Sequence, residues 1–300
     1  MADLRDMQLL AALARHEHFA RAAQECGISQ PAFSARIRNL ETELGVPVVR
    51  RGNRFMGFTP EGLIALRWAR QMVWDADGMR QEIEAAKGAL SGRLSIGAVP
   101  TALAFAARAP ARLRRMHPDL AIQLYSMTSV EIRRGIDDFT LDAGITYIDG
   151  TVASLRTETL YDERYVLLAP PALAPRMAGE ASWREAADLP LCLLTRNMRN
   201  RQILDAVFER AGAVPRPVME TNSFIAALAQ VASGSLATIA PELLADSLPS
   251  ARGAVRLALT GPAIAEPVGL VTAARDPVPP MLVALEDVAR GLLKRDSIDT

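Results

Sequence analysis

The sequence has few of the residues that most catalytic and metal centres need. Its 300 residues include two cysteines and three histidines. Cys26 and Cys192 are far apart and each lies in an apolar run, so we expect two reduced core thiols rather than a disulfide. His16 and His18 have no third potential ligand nearby, which argues against a zinc site. The composition therefore predicts neither a metal nor a cofactor.

Long apolar runs are also absent. No stretch approaches the ~20 apolar residues that a membrane-spanning helix requires. The N-terminus, MADLRDMQLLAALARHEH, is charged from its third residue and lacks the apolar segment of a signal peptide. These two absences predict a cytoplasmic protein.

The motifs of common catalytic sites are missing as well. The chain has no G-x-S-x-G nucleophile motif and no phosphate-binding Walker motif. His117, the one histidine outside the N-terminal region, lies in a helix-ending turn (MHPD) and is expected to be structural. The sequence therefore predicts that the protein is not an enzyme.

The formal net charge is zero, so the chain as a whole has no basic character. A nucleic-acid footprint can nevertheless be local. Residues 15–67 contain eight arginines and five glutamates, which gives this window a charge of +3. The positions of these arginines matter more than their sum.

Two short amphipathic helical patterns lie within residues 19–61 and meet at Gly27. Their apolar residues follow helical spacing: Phe19, Ala22, Ala23 and Cys26 in the first, and Phe33, Ile37, Leu40 and Leu44 in the second. Ser29 is predicted to cap the second helix, with Pro31 in its first turn. A further helix, at residues 3–16, is predicted to pack behind both. This pattern is typical of a helix-turn-helix, whose second helix enters the major groove of DNA.

The segment that follows this pair predicts a wing. Apolar residues 46–49 precede Arg50 and Arg51, and Gly52 with Asn53 predicts a hairpin turn between two short strands. Arg54 would then lie on one arm of the wing.

A long helix is predicted to begin after the wing. Thr59 is its expected N-cap and Pro60 its first residue, and it runs to about Lys87, a length of roughly 40 Å. Its apolar seam comprises Leu66, Ala69, Val73, Ala76, Ile83 and Leu90, and Trp68, Met72 and Met79 widen it. Because a long helix with such a stripe usually pairs with a second copy, we expect a dimer through it.

Strand and helix patterns alternate after Gly92. The strand-like segments are 93–99, 121–127, 142–148, 163–171, 189–195, 216–221, 235–241 and 266–273, and the helical ones are 100–119, 130–139, 200–212, 223–234 and 280–294. The first β-α-β-α-β series predicts a parallel, doubly wound sheet. The second set, followed by a return strand and helix, predicts two lobes joined by crossing strands. Lobe I is expected at about 91–162 and 267–300, and lobe II at about 163–266.

The whole chain resembles the LysR-type transcriptional regulators. The resemblance rests on FARAAQECGISQPAFSARIRNLETELGVPVVRRGNRFMGFTPEG, the helix after it, GRLSIGAVP, MHPDLAIQL, LDAGIT and VASGSLATIAPE. It implies an α/β protein with an N-terminal winged helix-turn-helix (1–59), a dimerising linker helix (60–90) and a C-terminal two-lobed effector domain (91–300) like the periplasmic binding proteins.

In function, the resemblance implies a sequence-specific DNA-binding transcriptional regulator controlled by a small effector. It usually implies a tetramer, and it makes RNA polymerase a candidate partner. A periplasmic solute receptor has the same two-lobed fold, but it would need a signal peptide and would lack the helix-turn-helix. Activation and repression are both compatible with the sequence.

The predicted DNA-contacting residues lie on the outward side of the second helix and on the wing: Ser29, Gln30, Pro31, Ser34, Arg36, Arg38 and Arg54. Gln30 can bond an adenine edge, Arg38 can reach a phosphate or a guanine, and the serines suit phosphate contacts. Arg54 resembles the family's minor-groove arginine. Family members commonly carry arginine directly after the serine of this helix. Here Ala35 occupies that position, so the base contact expected there is shifted to Arg36 or absent.

The predicted effector site lies at the carboxyl ends of the strands: Pro100, Thr101, Thr128, Ser129, Thr195, Arg196, Asn197, Asn222 and Ser223. Free backbone N–H groups and helix dipoles at such points favour an anion. Arg196 and Arg199 are candidate counter-charges. The alternative is that the threonines, serines and asparagines are simple helix caps. The predicted ligand is a small carboxylate or another small anion.

Overall fold

The N-terminal helices begin at the caps that the sequence indicates. They are α1 (Leu4–His16), α2 (Phe19–Glu25) and α3 (Gln30–Leu44). Asp3 caps α1 in a reciprocal arrangement with Asp6, and the Ser29 side chain caps α3. Gly27 and Gly45 take positive φ angles of 67° and 70°, which lets the chain leave α2 and α3 without strain. The predicted helix-turn-helix is confirmed.

The computed structural model describes residues 3–50, 52, 54–88, 90–174, 179–247 and 253–296, with side chains to residue 292. The chain divides into two compact units. The first contains Met1–Leu90, Asp137–Thr140 and Val278–Pro280, and the second contains Ser91–Ile136, Leu141–Pro277 and Met281–Thr300.

The apolar faces of the first three helices meet in one core. Leu10 and Leu13 of α1 pack with Ala22 of α2 and with Phe33 of α3, all of them fully buried. Leu44, predicted to share this face, is 44% exposed, because it lies in the last turn of α3 next to the helix-ending glycine.

A short hairpin forms the wing. Val49 and Phe58 form an antiparallel bridge, and the Arg50 N–H donates to the Gly57 carbonyl at 2.9 Å. Glu41 Oε1 of α3 accepts from the backbone N–H of Val48 at 2.8 Å and ties the wing to the helix. Gly52 and Arg54 lie at the tip. The other two residues assigned to the turn, Arg51 and Asn53, lie outside the described residues.

The linker helix α4 (Pro60–Ala86) has 27 residues and begins and ends where the sequence predicts. The Thr59 hydroxyl caps it by accepting from the Gly62 N–H at 2.9 Å. A Cβ on Gly62 would lie 1.9 Å from the Val48 carbonyl oxygen, so the close approach of helix and wing requires glycine here.

The predicted dimerisation seam of α4 is wrong in its first half. Leu66 and Ala69 are buried in the core with α1, because the first turns of α4 complete that core. Ile83 of the predicted seam is exposed, as are Trp68, Met72 and Met79, which were predicted to widen it. Together with Ile64 they form what we call the α4 stripe: Ile64, Trp68, Met72, Met79 and Ile83. Their spacing of four or seven residues keeps them on one side.

The second unit is built from short strands and helices. Its strands are β1 (Gly92–Ala98), β2 (Leu120–Ser126), β3 (Ala143–Tyr147), β4 (Arg156–Glu163), β5 (Tyr165–Ala169), β6 (Glu180–Ser182), β7 (Cys192–Leu194), β8 (Met219–Thr221), β9 (Thr238–Pro241), β10 (Val255–Thr260) and β11 (Glu266–Thr272). Its helices are α5 (Leu103–Ala106), α6 (Arg108–Met116), α7 (Ser129–Asp137), α8 (Trp183–Ala187), α9 (Arg199–Arg210), α10 (Phe224–Ala232), α11 (Glu242–Ser247) and α12 (Pro280–Asp296).

Two separate sheets define the lobes of this unit. The first has the order β2-β1-β3-β11-β4, in which β1 is parallel to β2 and β3, and β11 is antiparallel to its neighbours. The second has the order β6-β10-β5-β9, and β7 pairs with β8 beside it. Strands β4, β6 and β10 were not predicted, because they are short or expose charged side chains that hide the strand pattern.

The chain crosses between the two sheets twice, from β4 to β5 and from β10 to β11. The crossings run side by side, since Glu163 at the end of β4 is the strand partner of Glu266 at the start of β11. Within the described ranges, no helix is long and apolar enough to cross a membrane.

Candidate DNA-contacting surface and effector site

The N-terminal end of α3 is open to solvent. Ser29, Gln30 and Pro31 are exposed there, and Ser34 is half-buried one turn later. Because the Ser29 oxygen accepts from the Ala32 N–H at 3.4 Å, its hydroxyl proton stays available for a phosphate.

The three arginines predicted to contact DNA fall into two groups. Arg38 and Arg54 are exposed, and neither has an ion-pair partner within the described part of the chain. Arg36 is instead engaged by α1: its Nε donates to Asp6 Oδ1 at 2.8 Å and its Nη2 lies 3.0 Å from Asp3 Oδ2. The hydrogen bond to Asp6 raises the pKa of Arg36. Arg36 therefore braces α3 against the start of α1.

A small cavity opens between the two lobes of the second unit. Its free volume, about 210 Å³, includes open solvent at the mouth, so the enclosed part is much smaller. Its lining is Val99, Pro100, Thr101, Thr128, Ser129, Tyr147, Leu194, Met198, Arg199 and Asn200. Four of the predicted effector residues, Pro100, Thr101, Thr128 and Ser129, lie in this lining.

The other five predicted effector residues lie outside the lining: Thr195, Arg196, Asn197, Asn222 and Ser223. Strand β7 ends at Leu194, and the chain turns at Thr195, whose carbonyl accepts from the Met198 N–H at 3.0 Å. Arg196 is exposed within that turn, 4.0 Å from Glu220. The lining includes Leu194 before this turn and Met198 after it, so the chain leaves the cavity over residues 195–197.

Two helices present their N-termini to the cavity. Thr128 caps α7 and exchanges hydrogen bonds with Glu131, whose Oε2 accepts from the Thr128 N–H at 2.8 Å. Ser129 Oγ accepts from Thr146 Oγ1 at 2.9 Å, which leaves the Ser129 proton free to donate. On the opposite wall, Arg199 and Asn200 form the first turn of α9.

Asn200 is a cavity residue that the sequence analysis missed. It is 3% exposed, and neither of its side-chain amide atoms has a hydrogen-bond partner among the described residues. An unpaired buried amide costs stability, which marks this position as one that a ligand or ordered water completes. The sequence offered only its place in the first turn of a helix.

A buried hydroxyl–carboxyl chain lies beneath the cavity. Glu163 Oε1 accepts from Tyr147 Oη and from Tyr165 Oη, each at 2.6 Å. Tyr147 Oη is in turn 3.2 Å from Thr101 Oγ1, which lines the cavity. Burial raises the pKa of Glu163 to about 7, and Glu266 adds to the effect. We call these four residues, Thr101, Tyr147, Glu163 and Tyr165, the hinge network, because Glu163 lies at a crossing between the sheets.

Comparison with known protein families matches both units. Residues 4–63 match the family described as bacterial regulatory helix-turn-helix protein, lysR family, and residues 87–294 match the LysR substrate binding domain. The chain belongs to the LysR family. The predicted fold class is thereby confirmed, and the family consists of transcriptional regulators rather than enzymes.

Several curated proteins resemble this LysR-family chain. A hydrogen peroxide-inducible genes activator of Dickeya chrysanthemi is 33% identical over 162 residues, which cover 54% of the chain and 53% of that protein. The chain thus matches about half the length of this relative. The RuBisCO operon transcriptional regulator of Allochromatium vinosum is 27% identical over 248 residues, 80% of the chain and 82% of that protein.

Solved structures show the same fold at full length. A full-length OxyR of Pseudomonas aeruginosa with a cysteine-to-aspartate substitution is 25% identical, covers 98% of the chain and 97% of its own, and has a TM-score of 0.82. ArgP of Mycobacterium tuberculosis, 22% identical with 98% of both chains covered, has a TM-score of 0.73 and shows the fold alone.

Neither cysteine of this LysR-family protein lies in the cavity lining. Cys192 is fully buried in β7, and burial raises the pKa of its thiol. Cys26 is half-buried in the first unit, and burial raises its thiol pKa as well. Thiolate formation is therefore disfavoured at both positions.

Proposed function

We propose that the protein is a sequence-specific DNA-binding transcriptional regulator whose activity is controlled by a small anion bound between the lobes of its second unit. The observation that carries the proposal is the cavity, where the N-termini of α7 and α9, the guanidinium of Arg199 and the unpaired amide of Asn200 converge. Helix N-termini and an arginine favour a negative group.

The proposed DNA contacts follow from exposure on α3 and the wing. Ser29, Gln30 and Pro31 are exposed at the end of α3 that enters the major groove, with Ser34 beside them. Arg38 is placed for a phosphate or guanine contact, and Arg54 for the minor groove. We assign Arg36 a bracing role instead, because two carboxylates of α1 already hold its guanidinium.

A non-covalent ligand fits this protein better than thiol oxidation. Some relatives are named as hydrogen peroxide-inducible activators. A peroxide-sensing cysteine, however, has to be exposed and to carry a low thiol pKa. Burial raises the thiol pKa at both Cys26 and Cys192, and Cys192 has no exposed surface.

The proposed assembly is a dimer through the α4 stripe and, as is usual in the family, a tetramer. Effector binding would then shift the balance between two arrangements of the lobes, and so the spacing of the DNA-binding units. RNA polymerase is a proposed partner of the DNA-bound form.

The experiment is a mobility-shift assay on DNA from upstream of the protein's own gene, with a scrambled duplex of equal length as control. The assay is repeated with a panel of small carboxylates and with hydrogen peroxide. We expect a specific shift that a carboxylate alters. Peroxide should leave the shift unchanged, both in the wild type and in a Cys26→Ser, Cys192→Ser double variant. Absence of a specific shift contradicts the regulator proposal, and a thiol-dependent peroxide response contradicts the effector proposal.

A further inference from the structure

We infer that the cavity selects a small hydroxy acid, an anion with a hydroxyl donor beside its carboxylate, because the hinge network makes Thr101 a hydrogen-bond acceptor toward the ligand. This inference rests on the anionic effector proposed above and names its chemical class.

Both tyrosine protons of the hinge network are given to Glu163. Each tyrosine hydroxyl carries one proton, and both Tyr147 and Tyr165 place theirs on Glu163 Oε1, at 2.6 Å. The two hydroxyl oxygens lie 3.4 Å apart, with neither proton left to share between them. All three side chains are buried, so water does not compete for these bonds.

Thr101 is left as a donor toward the hinge network. Its Oγ1 lies 3.2 Å from Tyr147 Oη, and the Tyr147 proton is already given to Glu163. Thr101 also hydrogen-bonds to Glu163. Its proton is therefore given to Tyr147 or to Glu163 within the hinge network, and its oxygen keeps only lone pairs. Because Thr101 is buried and lines the cavity, those lone pairs face the ligand.

The cavity wall presents both hydrogen-bond donors and hydrogen-bond acceptors. Ser129, Arg199 and the Asn200 amide NH₂ offer donors, whereas Thr101 Oγ1 and Asn200 Oδ1 offer acceptors. A plain carboxylate has only acceptor atoms, so it would leave both protein acceptors unpaired in a buried site. A site built to bond a hydroxyl rejects an analogue without one strongly.

Because the enclosed cavity is small, the test uses the smallest hydroxy acid, glycolate. Acetate has the same carboxylate and lacks only the hydroxyl. A comparison of glycolate with acetate therefore measures the contribution of the hydroxyl group to binding.

The groups around Glu163 predict how the preference depends on pH. Tyr147 of β3 and Tyr165 of β5 donate to it, Glu266 of β11 is its strand partner, and Tyr161 lies on its own strand. Burial and the charge of Glu266 raise the pKa of Glu163 to about 7. Glu163 Oε2 is buried and has no hydrogen-bond partner among the described residues, so a proton taken up by Glu163 is expected on that oxygen while Oε1 keeps accepting from both tyrosines. We therefore expect the hydroxyl preference to persist as the pH falls through about 7.

Calorimetric titration of the full-length protein with glycolate and with acetate tests the inference. The wild type should bind glycolate at least about tenfold more tightly than acetate. Thr101→Val removes the acceptor, so glycolate binding should weaken to about that of acetate while acetate binding is retained. Tyr161→Phe, a matched loss of one hydroxyl from a tyrosine that packs on Phe105, should retain the wild-type ratio.

The outcomes separate the two levels of the proposal. Equal affinity for both acids in the wild type, or an unchanged glycolate preference in Thr101→Val, overturns the hydroxyl inference and leaves the anion proposal standing. Binding of neither acid by protein that still binds operator DNA overturns both. Thr101→Ser keeps the hydroxyl and should retain the glycolate preference, and loss of the preference in that variant also overturns the inference.

Discussion

Arg199 of α9 forms an ion pair with Asp149, the second residue after β3, and this pair joins the two lobes of the second unit. Arg199 Nε lies 3.0 Å from Asp149 Oδ2, and both side chains are partly buried. Asp149 Oδ1 also accepts from the Thr151 N–H at 2.9 Å, which fixes its orientation. Because Arg199 lines the cavity, a ligand carboxylate would compete with Asp149 for the same guanidinium.

Asp149→Asn should therefore raise the affinity for a small anion. The substitution keeps the hydrogen-bonding shape and removes the competing charge, so several-fold tighter binding of glycolate is expected in a calorimetric titration. Asp162→Asn makes the same charge change at an exposed position and serves as the control. Unchanged or weaker binding in Asp149→Asn would show that Arg199 does not receive the anion.

Substitution of Arg36 should lower thermal stability, whereas substitution of Arg38 should lower DNA affinity. Arg36→Ala breaks the contacts with Asp3 and Asp6, so it should lower the thermal midpoint of the first unit by a few degrees. Arg38→Ala removes an exposed charge and should leave the midpoint unchanged, while operator affinity falls and its salt dependence becomes shallower. Calorimetric melting and salt-dependent anisotropy measure the two effects. An Arg36→Ala protein of wild-type stability that has lost operator binding would reverse this assignment.

Glu163→Gln should change how stability depends on pH. The pKa of Glu163 is raised from 4.5 to about 7, so between these values the folded protein binds a proton that the unfolded chain does not. The stabilisation is thus fully present below pH 4.5 and is lost as the pH rises through about 7. It corresponds to a difference on the order of 3 kcal/mol in the free energy of unfolding.

Urea unfolding of the wild type and Glu163→Gln at about pH 5 and pH 8 measures this dependence. Relative to Glu163→Gln, the wild type should have a lower free energy of unfolding at pH 8 than at pH 5. Glu180→Gln, at an exposed position, is the control and should follow the wild type at both values. A pH-independent difference between wild type and Glu163→Gln would show that Glu163 does not titrate in this range.

Met79→Glu should dissociate the dimer. Met79 is 62% exposed in the α4 stripe, one turn before Ile83, and a charge there would be buried against a second copy. Arg80→Glu places the same side chain one residue away, off the stripe, and should remain dimeric. Sedimentation velocity gives the oligomeric state of both, and a Met79→Glu protein that sediments as the wild type does would place the interface elsewhere.

Local signals in the sequence were sufficient for the DNA-binding unit and for the order of most elements. Ser29 and Thr59 cap α3 and α4 as predicted, because a cap and a helical period involve residues a few positions apart. Thr101 and Ser129 likewise line the cavity, since parallel strands place their carboxyl ends at one edge.

Tertiary packing decided what those local signals could not. Arg36 meets Asp6 across 30 residues, and Leu66 is buried because α1 covers that face of α4. Tyr147, Glu163 and Asn200 carry no motif, and they become a candidate site only where two crossing strands bring the lobes together. The sequence by itself determined the helices, their caps and the family of the protein. Only the folded chain determined which charges are already paired and which buried polar atoms are left for a ligand, because both depend on contacts between residues that lie far apart in the sequence.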